Sequence, residues 1–318
     1  MTTYIIRRVV QAMLVLILVT IIVFFVMRLL PGDPVLMFLT KEDLGRVTPE
    51  QIAALKHEFG LDKPIFVQYV NWITGVFRGD LGISITHRTK VIDDMRHRLP
   101  ITFHLGSLAF IISIIIGVSA GVISAVRRGG WLDTTVTTLS YTGVSAPGFW
   151  LGIVLIYVFA LRLKMLPVFG YTSPFEDFWM STRQVIMPVF CLSVFALASA
   201  ARQTRSSMLE VLHQDYIRTA RSKGLMNRVV VMRHGLKNGL IPVVTVLGMM
   251  LREIVGGSVV IETVFNIPGM GRLAVESLLS KDYTMVQGVV LLITTAVVLA
   301  NLLVELSYGW LDPRIRYG

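Results

Sequence analysis

Six stretches of this chain are too long and too apolar to lie in water. Residues 9–27 carry no Asp, Glu, Lys or Arg and follow Arg7-Arg8, and residues 101–126 are equally free of charge and close on Arg127-Arg128. Residues 134–161, 185–201 and 283–304 are also uncharged, and 239–261 is apolar apart from Arg252-Glu253. A bilayer span needs about 20 mostly apolar residues, and in lipid a helix satisfies its own backbone. The pattern therefore predicts an all-α membrane protein with six transmembrane helices. Residues 9–27 begin as a secretory signal does, but the run is long and lacks a small-residue cleavage site, so it reads as a retained first helix. The fourth run is short, with Pro188 near its start, and Pro147-Gly148 predicts a kink in the third.

Composition agrees and removes other classes. Of 318 residues, 54% are hydrophobic and only 16% charged, with a mean hydropathy of +0.68; soluble domains run at about 45–50% and about 25%. A disordered, collagen-like or disulfide-stapled chain is excluded, and the one cysteine, Cys191, forms no intrachain disulfide and no cysteine-based zinc site. The net charge of +10 raises nucleic acid as a partner. In a membrane protein, however, it follows from basic cytoplasmic loops, and no nucleic acid partner is expected. With the N-terminus inside, Arg7, Arg8, Arg127, Arg128, Arg314 and Arg316 fall inside, as do Arg202, Arg205, Arg218, Arg221, Lys223, Arg228, Arg233 and Lys237. The short outer segments 162–184 and 262–282 hold only Arg162, Lys164, Arg183, Arg272 and Lys281. Both termini are expected to be cytoplasmic. The chain then divides into residues 1–30 (N-terminus and first span), an extracytoplasmic helical segment 31–100, and a five-span core 101–318 with a cytoplasmic loop at about 202–238.

The outer segment is too long to be structureless. Thr48-Pro49-Glu50-Gln51 reads as a helix start, with Thr48 as cap and Gln51 completing a capping box; that helix stops at Gly60. Residues 64–77 predict a second helix with Ile65, Tyr69, Trp72, Ile73 and Val76 on one face. Residues 91–99 predict a third leading into span two. The segment is either a docking surface for an external partner or a cap on the helix ends.

In the inner segment 202–238, Met208, Leu209, Leu212, Tyr216 and Ile217 predict an apolar stripe beside a basic patch of Arg218, Arg221 and Lys223. Gly224 is placed to end that helix with a left-handed cap, and a second helix is expected over 227–236. Two short helices and a turn make a knob for a partner's groove or an amphipathic hairpin on anionic lipid.

Asp215-Tyr216-Ile217-Arg218-Thr219-Ala220-Arg221-Ser222-Lys223-Gly224-Leu225, followed by Leu236-Lys237-Asn238 and Ile241-Pro242, resembles the coupling loop of ABC-type permeases. The resemblance is to the peptide/nickel importer group, the B-type subunits of dipeptide and oligopeptide permeases. Arg218-Thr219-Ala220 stands where the general signature has Glu-Ala-Ala, and Gly224 is its glycine; the missing glutamate and the late Ile241-Pro242 are usual in the peptide group. Leu30-Pro31-Gly32-Asp33-Pro34, Gly60-Leu61-Asp62-Lys63-Pro64, Gly79-Asp80-Leu81-Gly82, Glu262 to Gly271, Asp282-Tyr283 and Asp312-Pro313-Arg314-Ile315-Arg316 resemble further stretches of that group, in the same order.

The resemblance implies a permease subunit forming half of a pore in a cell inner membrane. Its implied partners are a second homologous permease subunit, two ATP-binding subunits that grip the inner knob, and an extracytoplasmic solute-binding protein. Asp215, Tyr216, Arg218, Thr219, Ala220, Arg221 and Gly224 are the implied coupling residues. The solute is a peptide or a related small solute such as glutathione or nickel. ATP and Mg belong to the partners: this chain has no Gly-Lys and so no phosphate loop, and no cofactor or catalytic residue is expected in it. The six histidines are scattered, and no metal site is assigned, although His57, His87 and His97 leave one open in the outer segment.

Arg252 and Glu253 are costly in lipid, about 2.5–3.5 kcal/mol per charge at a helix centre, and point about 100° apart. They are pore candidates or a structural polar link. Asn266-Ile267-Pro268-Gly269-Met270-Gly271 sets a bend between spans five and six. The segment is either an outer gate with Phe265 and Met270 as plugs beside Pro268, or a packed cap. The rival of another class is a self-sufficient channel or secondary carrier, which needs its own filter or coupling-ion ligands.

Overall fold

The computed structural model describes residues 2–29, 48–58 and 60–311. The motifs at Leu30-Pro31-Gly32-Asp33-Pro34 and Asp312-Pro313-Arg314-Ile315-Arg316 lie outside these residues, as do the side chains of Arg252 and Glu253. The helices are α1 (Thr2–Leu29), α2 (Pro49–Glu58), α3 (Ile65–Phe77) and α4 (Val91–Val126). They continue with α5 (Trp131–Ser145), α6 (Gly148–Arg162), α7 (Phe178–Leu212) and α8 (Asp215–Ser222). The last are α9 (Asn227–Val264), α10 (Met270–Leu279) and α11 (Tyr283–Leu311). Among the described residues there is no strand, only one antiparallel bridge between Ile83 and Lys90. Stretches of α1, α4, α7, α9 and α11 are each long and apolar enough to cross a membrane; α5 and α6 together make a sixth, broken span.

Local chemistry sets most of the boundaries. The α2 start carries the expected capping box: Thr48 N–H donates to Gln51 Oε1 (2.9 Å), and Gln51 N–H to Thr48 Oγ1 (3.4 Å). At α7, Asp177 Oδ1 accepts from Met180 N–H at 2.9 Å, so the helix begins before the apolar run and is 35 residues long. The short fourth span read from residues 185–201 is thus the middle of a longer helix, whose polar residues Gln184, Ser193, Ser199, Thr204 and Ser207 are buried. Between α5 and α6 the axis turns by 103°, more than a kink. Ala146 is extended, as a residue before proline prefers, and Pro147 cannot continue the ladder.

The chain forms two compact units, Met1–Ile5 with Phe103–Ile267 and Leu299–Gly318, and Ile6–Thr102 with Pro268–Val298. In the first, α7 is the central helix. Its most apolar stretch is 67% buried against 11–33% for the other four spans, and it packs on α4, α5, α6 and α9. The α4–α7 seam is made of small residues: Ser113, Gly117, Gly121 and Ala125 recur every four residues on α4, and all are buried. A Cβ on Gly117 would stand 2.7 Å from the Leu197 carbonyl oxygen, and one on Gly121 would stand 2.5 Å from that of Ala201. Without a hydrophobic drive between helices in lipid, such close backbone approach supplies the dispersion contact. Asp133 at the start of α5 locks the end of this seam. It accepts from Arg205 Nε (2.6 Å) and Nη2 (2.9 Å) on α7, from the Ser124 hydroxyl on α4, and from Gly129 N–H (2.9 Å).

In the second unit, Leu81, Val91, Met95, Met270, Leu273, Met285 and Val289 make one core cluster. The expected face of α3 is partly realised: Tyr69 and Trp72 pack on Phe24 of α1, with ring centroids 5.3 and 5.9 Å apart, whereas Ile65 is exposed. Asp282, buried, caps α11 through Met285 N–H (3.0 Å) and also accepts from the Ser84 hydroxyl, Ile85 N–H (3.3 Å) and Thr86 N–H (3.0 Å). One carboxylate thereby holds the 84–86 turn to the start of the last span.

Candidate coupling helix and broken span

Helix α8 is eight residues long and carries Asp215, Tyr216, Arg218, Thr219, Ala220 and Arg221. Two of its side chains are buried, Ile217 at 0% and Ala220 at 7% exposure, packed with Val230 and the flank of Leu212. Full burial of one isoleucine is worth about 1.5–3 kcal/mol, which is enough to seat so short a helix but not to rigidify its outer face. Tyr216 is 43% exposed, and its hydroxyl accepts from Asn238 Nδ2 of α9 at 3.0 Å. Asp215, Arg218, Thr219, Arg221 and Lys223 remain exposed. The Arg218–Asp215 pair, 3.4 Å apart with side chains 73% and 95% exposed, is worth little in water, so both charges stay available to a partner. Gly224 ends the helix at φ +78°, with its N–H donated to the Arg221 carbonyl (2.9 Å) and the Lys223 N–H to that of Thr219 (3.1 Å).

The expected stripe is divided between two helices. Met208, Leu209 and Leu212 belong to α7, Tyr216 and Ile217 to α8, with the break at His213-Gln214. Nor is 227–236 a separate helix: it is the first part of α9, which passes through a π-helical turn at Val230–Gly235 and runs on into span five. Gly235 and Gly239 do not stop it, because both face Met208. A Cβ on Gly239 would lie 2.7 Å from Met208 Sδ, and the Ser207 hydroxyl donates to the Gly239 carbonyl at 2.7 Å. Leu212, which packs on the Ile217–Ala220 cluster, packs also on a buried cluster of Ala125, Met208 and Val231 that joins α4, α7 and α9. A load on α8 therefore has a packed route into three spans.

At the α5–α6 break a mostly apolar cavity of about 320 Å³ is bordered by Pro147, Phe149, Cys191, Phe195, Ile254 and Ile261. Phe265, at the end of α9, is 1% exposed and lies against Gly152 of α6, where an added Cβ would sit 3.1 Å from the ring. The α9–α10 turn is tight: Ile267 N–H donates to the Glu262 carbonyl at 2.8 Å, and Asn266 takes φ +53°. Phe265 belongs to the first unit and Pro268 and Met270 to the second, where Met270 is a core residue and its N–H donates to Thr102 Oγ1 at 2.8 Å. The expected coupling residues Asp215 to Arg221 are thus brought onto one short helix with Gly224 just past its end, whereas Phe265 and Met270 are each packed inside their own unit. Sequence reasoning missed the Ser113–Gly117–Gly121–Ala125 repeat, whose four-residue spacing was visible, and the Asp133–Arg205 clamp, which no local pattern announces.

Two family models match: the binding-protein-dependent transport system inner membrane component over residues 117–317, and the N-terminal part of such a membrane component over residues 1–106. A probable peptide ABC transporter permease of Sinorhizobium fredii is 42% identical over 318 residues, covering 100% of both chains. The dipeptide transport system permease DppB of Escherichia coli K12 is 38% identical over 340 residues, covering 100% of this chain and 99% of its own. Among solved structures, a chain of the MetNI methionine ABC transporter aligns with a TM-score of 0.57 at 19% identity. It covers 69% of this chain and 96% of that one, and this likeness bears on the fold alone. The chain belongs to the family of inner-membrane permease components of binding-protein-dependent transport systems.

Proposed function

We propose that this chain forms half of the pore of an ATP-driven peptide importer. The observation that carries the reading is α8, a short helix seated by Ile217 and Ala220, open along its charged face, and joined through the Met208 cluster to the spans. The peptide substrate is taken from the relatives at 42% and 38% identity. In this reading, two ATP-binding subunits hold ATP and Mg and grip α8, a second homologous permease subunit completes the pore, and an extracytoplasmic protein delivers the peptide. Both termini and α8 lie in the cytoplasm. Nucleotide binding does work only by favouring one of two pore states through differential contacts, which requires α8 to move with α7 and α9.

The transport path runs past the broken span. In this reading Phe265, at the end of α9 and against α6, closes the outer end of that path. Purification in mild detergent tests the assembly. Recovery of ATP-binding subunits with the wild-type chain supports it, and peptide flux through the chain alone in liposomes establishes the rival, a self-sufficient carrier.

A further inference from the structure

Where α1 ends, the unit built from Ile6–Thr102 and Pro268–Val298 holds a half-open cavity of about 340 Å³. Its lining includes Arg28 in the last turn of α1, Trp72 of α3 and Gln287 in the first turns of α11. Each brings a buried donor that meets no acceptor among the described residues: Arg28 Nη1, Trp72 Nε1 and Gln287 Nε2. Gln287 is only 3% exposed. Buried polar groups are almost always partnered, and the unpartnered buried side-chain atoms in this lining are all donors.

The arginine is positioned rather than loose. Its Nε donates to Gln68 Oε1 at 2.9 Å, its guanidinium carbon stands 4.9 Å from the Phe24 ring centroid, and Gln68 Nε2 in turn donates to the Lys63 carbonyl at 2.7 Å. Asp80, the one carboxylate in the lining, is occupied on Oδ1 by the Gly82 N–H at 2.9 Å.

We propose that this cavity binds an oxyanion from outside the chain, a phosphate or carboxylate whose oxygens accept from Arg28, Trp72 and Gln287. A cation or an apolar group leaves all three buried donors unpaired. The position favours the phosphate of a lipid headgroup. Arg28 closes a helix whose Ile22, Phe25, Val26 and Leu29 are exposed, and arginine with tryptophan at the end of an apolar span is the pairing that suits the headgroup layer. A dissolved phosphate ion offers the same oxygens. The inference does not depend on the transported solute.

The test compares the permease complex carrying the wild-type chain with complexes carrying Arg28→Gln, Trp72→Phe or Gln287→Leu. Arg78→Gln, an exposed charge outside the lining, is the control. Native mass spectrometry reads phospholipid retained through detergent exchange, and melting with added inorganic phosphate reads the free ion. Retention in the wild type and control, weakened about tenfold or more by Arg28→Gln and about three- to tenfold by Trp72→Phe, establishes a lipid phosphate. A phosphate-dependent rise in melting temperature in the same two proteins, without retained lipid, establishes the free oxyanion. Trp72→Phe keeps an aromatic side chain, somewhat smaller, and removes the indole N–H, so it decides the matter even if Arg28→Gln misfolds. Equal retention and equal phosphate response in wild type and all variants overturn the proposal.

Discussion

Replacing Gly121 by alanine adds one methyl group where α4 meets α7. The new Cβ would stand 2.5 Å from the Ala201 carbonyl oxygen, 2.6 Å from Thr204 Cβ and 3.1 Å from Arg205 N. Ordinary contact begins near 3.4 Å, so the helices must part by roughly 0.9 Å, an overpacking strain of about 1–3 kcal/mol. Two of the three obstacles are backbone atoms, and no side-chain rotation relieves them. Gly106→Ala on the same helix is the matched control, because its Cβ meets only Ile254 Cγ2 at 3.5 Å. Both substitutions gain about 0.5–1 kcal/mol of helix propensity, which cancels in the comparison. The expected outcome is that Gly121→Ala melts below Gly106→Ala by about 1–2 °C for each kcal/mol of strain in a chain of 318 residues. Melting in mild detergent can be followed through dye labelling of the buried Cys191 thiol, the chain's one cysteine. Equal melting temperatures for the two variants would refute the close-packed seam.

Gly224→Val costs about 1–2 kcal/mol in backbone strain alone, since no atom lies within 4 Å of the added Cβ. The chain should insert normally yet lose substrate-stimulated ATP turnover, which unchanged turnover in the mutant complex would contradict. Arg218→Glu with Arg221→Glu should weaken capture of the ATP-binding subunits, more so at low salt where screening is weaker; dependence on lipid composition with normal capture favours a membrane-surface role instead. Phe265→Ala removes a fully packed ring, so it should lower stability by about 3–5 kcal/mol and let small solutes leak through liposomes without ATP. A destabilised but sealed protein makes Phe265 a packing residue and not a gate.

The legible parts of this molecule are those governed by local chemistry. Thr48 and Gln51 form their reciprocal bonds, Gly224 takes positive φ, and Pro147 ends a helix, because each outcome depends on neighbours a few residues away. The misread parts depend on distant residues. Gly235 and Gly239 look like punctuation, yet they are there because Met208 occupies the space a side chain would need, and Met208 lies on another helix. The same holds for Asp133, paired with a residue 72 positions away, and for Asp282, which holds a turn 198 positions back. The extra length of α7 follows from Asp177, a cap that hydropathy alone does not register.

The central claim is that α8 transmits the work of separate ATP-binding subunits to a peptide pore. Uptake of a labelled dipeptide into liposomes holding the full complex, with binding protein outside and ATP inside, measures it directly. The account predicts uptake that requires ATP and binding protein and collapses in the Arg218→Glu, Arg221→Glu variant, whose α4–α7 seam is untouched. Uptake that persists in that variant, or that the chain sustains alone without ATP, would contradict it.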